Sequence, residues 1–148
     1  MSLTGASGCS VHAEEMEALF GGFDKTLPLC NLTFSGFSAR GCLAPLTNSL
    51  HFFPDLIWLH LDKLNMDERD LRGLLESLRF IPNLETLNLS GNPLGLAVTS
   101  IVLHVNKVPK LYCLDIRQTG SEEELNYVRE TIKQAKPKPH VSFILTGC

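Results

Sequence analysis

Between residues 82 and 94 the chain reads PNLETLNLSGNPL, with leucine at 84, 87, 89 and 94 and asparagine at 92. An amphipathic helix repeats its apolar positions every three or four residues, and a half-buried strand alternates them. This stretch does neither for long, but its spacing returns along the chain. PDLIWLHLDKLNM carries it at Leu56, Leu59 and Leu61, and PKLYCLDIRQTG at Leu111, Leu114 and Ile116. Weaker copies lie at Leu29, Leu32 and Phe34, and at His140, Phe143 and Leu145. The first positions of the five copies are 27, 28, 27 and 29 residues apart. A fixed period of roughly 20–50 residues marks a stacked-repeat architecture.

Each period predicts one strand and one helix. The alternation at Leu87 and Leu89 puts both leucines on one strand face and Asn88 on the other. Leu84 and Leu94 turn inward where the chain enters and leaves the strand. MDERDLRGLLESLRF then places Leu71, Leu74, Leu75 and Leu78 at helical spacing, with Asp67 as N-cap. GSEEELNYVRETIKQAK pairs Ser121 with Glu124 as a capping box and lines Leu125, Val128 and Ile132 on one face. Pro137 and Pro139 stop that helix. CLAPLTNSLHFF predicts a helix with Pro45 in its first turn. GLAVTSIVLHVNKV is rich in β-branched residues, yet stacking favours a helix there too. Its Val98, Ile101, Val102 and Val105 form either a broad buried face or an outer contact patch. Strands stack at roughly 4.8 Å and helices at roughly 8–10 Å, so such a stack curves with its strands inside.

The spacing L-x-x-L-x-L-x-x-N-x-L, most complete from Leu84 to Leu94, resembles a leucine-rich repeat. The period of 27–29 residues resembles the ribonuclease-inhibitor-like class, shared by ribonuclease inhibitors and the C-terminal sensor arrays of NOD-like receptors. The likeness covers about residues 27–148. It implies an α/β fold, a right-handed α/β solenoid with about five parallel strands on the concave side and helices on the convex side. It also implies a non-catalytic protein-interaction module without cofactor, used for ligand sensing or autoinhibition. The asparagine slot departs from the pattern: Asn92 fills it once, and Phe37, Leu64, Thr119 and Cys148 stand in the others. A continuous asparagine ladder is therefore not expected.

Residues 1–10 read as a flexible leader or cloning scar, residues 11–26 as a half-repeat helix with Val11, Met16, Leu19 and Phe20 on its apolar face, and residues 27–148 as the repeat domain. With no strand expected before that helix, the chain reads as the C-terminal piece of a larger intracellular protein. A net charge of −3 with no basic stripe does not suggest nucleic acid. No apolar run reaches the roughly 18 residues of a membrane span. The five cysteines, Cys9, Cys30, Cys42, Cys113 and Cys148, have no C-x-x-C spacing and read as neither a disulfide framework nor a zinc site. Two glycosylation sequons, at Asn31 and Asn88, fall on the expected concave face, where glycans would cover it. A cytoplasmic location follows from that reading.

Alternation puts Asn31, Thr33, Trp58, His60, Thr86, Asn88, Cys113, Asp115, Ser142 and Ile144 on the concave face, with Ile57, Asp62, Glu85, Tyr112 and Arg117 at its margins. Partner contact is assigned to Trp58, His60, Asp62, Glu85, Asn88, Tyr112, Asp115 and Arg117, because exposed tryptophan, tyrosine and arginine are enriched at binding hot spots. The alternative for Trp58 is packing on Tyr112 or under a loop. Leu56, Leu59, Leu61, Leu84, Leu87, Leu89, Asn92, Leu94, Leu111, Leu114 and Ile116 are assigned to the repeat framework. Cys113, His60 and Asp115 offer the residue types of covalent catalysis. Two strand spacings, roughly 9–10 Å, separate His60 from Asp115, beyond the roughly 2.6–3.2 Å such a pair needs. No catalytic residue and no metal ligand are assigned.

Five short strands give a flat patch of roughly 300 Å², below the roughly 800 Å² per partner of a standard interface. A piece of a larger horseshoe, or use of further surfaces, follows. The competing readings are a structural cap of a solenoid whose binding residues lie upstream, and a substrate receptor of a ubiquitin ligase. The exposed edge of the last strand is a site for self-association.

Overall fold

The computed structural model describes residues 1–5, 10–138 and 140–145. Cys9, Pro139 and Cys148 lie outside them. The leucine period resolves into strand, left-handed turn and helix, repeated. The strands are β1 (Ser2–Thr4), β2 (Asn31–Ser35), β3 (Trp58–Asp62), β4 (Thr86–Asn88), β5 (Cys113–Asp115) and β6 (Ser142–Ile144). They form one open sheet, all parallel, in the order of the chain. Helices α1 (Ala13–Phe20), α2 (Ala44–Ser49), α3 (Glu68–Ser77), α4 (Val98–His104) and α5 (Glu122–Ala135) connect successive strands.

One period of sequence advances the sheet by one strand from β2 onward. Leu32, Leu59, Leu87, Leu114 and Phe143 pair in a single row, and the four leucines have no solvent exposure. Phe34, Leu61, Leu89 and Ile116 are equally buried. Leu56, Leu84 and Leu111 close the turn before each strand, their N–H groups donating to the carbonyls of Phe53, Ile81 and Val108. All these residues join the inward residues of the helices in one apolar core. Removing a large side chain from such a core costs about 2–5 kcal/mol.

Helices α3 and α5 start where side chains cap them. Asp67 accepts from the Asp70 N–H at 2.9 Å, and Ser121 from the Glu124 N–H at 3.2 Å. Pro45 occupies the first turn of α2. The β-branched segment is helical, with a 3₁₀ turn at each end of α4. Its Val98, Ile101, Val102 and Val105 are buried, so the core reading holds for them; Leu96 and Leu103 are the exposed apolar residues of that segment.

Three expectations need correction. The sheet has six strands, not about five, because Ser2–Thr4 of the expected leader pairs with Thr33–Ser35. The Thr33 N–H donates to the Met1 carbonyl and the Gly5 N–H to the Ser35 carbonyl. All three residues of β1 are exposed, so backbone pairing holds the strand and no apolar signal marks it. A strand therefore does precede α1. Within α1, Met16 and Phe20 are buried, but Leu19 is exposed.

Candidate functional site

One face of the sheet is buried against the core, and the other carries the alternate residues. Pairing sets these in rows: Asn31, Trp58, Thr86, Cys113 and Ser142 in one, and Thr33, His60, Asn88, Asp115 and Ile144 in the next. The rows are those the alternation predicts. Trp58 and Tyr112 are each 46% exposed at the end where the strands begin. Neither is buried under a flanking loop. Glu85 and Thr86 lie between them where the middle strand begins, with the Glu85 carbonyl accepting from the Tyr112 and Cys113 N–H groups.

Asp115 departs from the expectation of an open-face acid: it is only 5% exposed. Arg117 folds back over it. The Arg117 Nε donates to Asp115 Oδ1 at 2.9 Å and Nη2 to Oδ2 at 2.6 Å. A paired guanidinium and carboxylate of this geometry form strong, directional bonds. His60 stands two strands from Asp115, with Asn88 between. Burial, then the neighbouring Asp115 charge, pushes the Cys113 thiol above its usual value, against the opposing pull of Arg117. That environment favours the neutral thiol over the reactive thiolate.

Where the strands end, a polar cleft of about 310 Å³ is lined by Asp62, Lys63, Asn88, Ser90, Arg117 and Gln118. It brings together Asp62, Asn88 and Arg117, while His60, Trp58, Glu85 and Tyr112 lie outside its lining. Asp62 Oδ2 accepts from the Ser35 hydroxyl at 2.6 Å, and Asn88 Oδ1 from the Ser90 N–H at 2.9 Å.

Lys63, Ser90 and Gln118 escape the alternation argument because they follow the strands. The period could have found them. Gly36, Lys63, Gly91 and Gln118 recur at steps of 27, 28 and 27 residues, and all four have left-handed backbone. A backbone ladder crosses this rim: the N–H groups of Gly36, Lys63 and Gly91 donate to the carbonyls of Asp62, Ser90 and Arg117. Asn92, just behind it, is fully buried. Its Oδ1 accepts from the Leu64 and Met66 N–H groups, and its Nδ2 donates to the Leu61 and Leu89 carbonyls. The framework asparagine thus binds the preceding turn to its own.

No helix among the described residues is long and apolar enough to cross a membrane. No protein-family model and no curated protein matches this chain.

Proposed function

We propose that this chain is a leucine-rich-repeat solenoid of the ribonuclease-inhibitor-like class, and that it serves as a non-catalytic protein-interaction module of an intracellular protein. NOD-like receptors end in arrays of this class, which makes ligand sensing or autoinhibition through the repeat surface the proposed role. The fold part of this reading rests on the match between sequence period and strand succession from β2 to β6.

The single observation that carries the binding reading is the exposure of Trp58 on the open sheet face and of Tyr112 at the margin of that face. Large aromatic side chains left half in water lose little entropy on docking and bury much apolar area. His60, Asn88 and the Asp115–Arg117 pair continue the open face from there toward the far end of the strands with hydrogen-bonding groups.

The test is capture from cytosolic extract on the chain and on its Trp58→Ala/Tyr112→Ala variant, with circular dichroism and thermal unfolding to show that both are folded. The expected result is a partner retained by the parent chain and lost by the variant. A partner retained equally by both places binding elsewhere and removes the reading.

A further inference from the structure

The four left-handed positions behind the strands are not chemically alike. Glycine adopts this backbone freely, whereas a side chain there is strained. Gly36 and Gly91 meet the demand without cost; Lys63 and Gln118, at φ of 55° and 56°, do not. Of the four described left-handed residues other than glycine, Lys63, Asn65, Gln118 and Lys136, the two in this register, Lys63 and Gln118, line the same polar cleft. Gly91 lies in the turn between theirs, and the stem of Lys63 runs directly over it. A Cβ placed on Gly91 would come within 2.7 Å of Lys63 Cγ. Backbone strain retained where glycine would relieve it is a recognised mark of a functional position. Here it holds a lysine over bare backbone at the cleft.

The charges around that lysine narrow what it would take. Arg117 binds Asp115 through both carboxylate oxygens, and Asp62 Oδ2 is engaged by the Ser35 hydroxyl. Among the described residues Lys63 has no ion pair. Two cations and two acids at and beneath the cleft leave it without excess positive charge. That disfavours a phosphate chain or nucleic acid, which need clustered cations, and leaves Lys63, the cleft cation with no ion pair among the described residues, to match a single carboxylate.

We propose that this cleft is a subsite for a single acidic side chain of a bound polypeptide, anchored by Lys63. The inference rests on the open-face reading above and adds a second contact to it. Trp58 and Lys63 lie at opposite ends of β3, five residues apart, which is roughly 16 Å of extended chain. An extended partner segment would therefore present an apolar side chain to Trp58 and Tyr112, and a carboxylate about four or six residues away, the even separations that alternation keeps on one face.

Display of random peptides of about a dozen residues, long enough when extended to span the roughly 16 Å between the two contacts, supplies the probe. Selection on the immobilised chain should yield peptides with an aromatic or aliphatic residue and an Asp or Glu at that separation. Lys63→Gly should weaken them about tenfold, as should amidation of the peptide's acid, and the two losses should not add. Because glycine suits the left-handed backbone, the variant stays folded, and thermal unfolding checks this. Peptides without the acid, or indifferent to Lys63→Gly, overturn the subsite. If those same peptides are lost with Trp58→Ala/Tyr112→Ala, the open-face reading survives alone. Peptides indifferent to all three substitutions, or no selectable peptide, count against both.

Discussion

Single residues hold neighbouring repeats together here, and Asn92 is the clearest case. Its amide meets four backbone groups at 2.7–3.1 Å while fully buried. Alanine would leave those groups without partner or water, so Asn92→Ala should destabilise the chain by about 3 kcal/mol in urea denaturation. Asp70 does related work from α3. It is 5% exposed, and it accepts from the Gly41 and Leu43 N–H groups of the preceding turn and from Asp67 N–H. Burial raises its carboxyl above the ordinary 3.8, outweighing those bonds. The unfolded chain then binds fewer protons than the native one, so this group's favourable contribution is complete below pH 3.8 and is lost as pH rises through the raised value. Asp67 runs the other way: its bond from the Asp70 N–H lowers it, so its contribution is present above pH 3.8 and is lost as pH falls through the lowered value. The expected outcome is that, as pH falls toward 3.8 from above, the parent chain gains stability relative to Asp70→Asn. Parallel denaturant titrations across that range check the sign.

At the scale of elements, caps and periodicity explain most of what forms where. Ser121 and Glu124 exchange hydrogen bonds at the start of α5, the Ser121 N–H donating to Glu124 Oε2 at 2.7 Å. Ser121→Ala should therefore cost about 1 kcal/mol, read as a lowered thermal midpoint. This box, the Asp67 cap and the strand rows were all legible in the sequence, because each depends on residues within one period. The rows at Leu59, Leu87 and Leu114 follow from alternation alone. Legibility failed where the cause is not apolar patterning. β1 is held by backbone pairing with every residue exposed, so nothing in Ser2, Leu3 and Thr4 announces it. Alternation puts Asp115 on the right face but does not reveal its environment, because the return of the Arg117 side chain onto its carboxylate is not a matter of spacing. Lys63 and Gln118 escape a reading of the sequence because a left-handed turn is obvious there only when glycine occupies it.

For the whole molecule, one face of a parallel sheet is committed to the core, and the proposed account puts binding on the other. The aromatic end and the polar rim of that face are separated by the length of a strand, so a partner reaching both must lie along the strands. A direct measurement is available because Trp58 is the only tryptophan in the chain. Biosynthetic 5-fluorotryptophan would place one fluorine at the centre of the proposed contact, visible by ¹⁹F NMR whatever aromatic residues the partner carries. On adding a captured partner or selected peptide, the account predicts a shifted resonance that loses its sensitivity to solvent. A bound complex in which the Trp58 resonance stays where it was, still open to water, would contradict it.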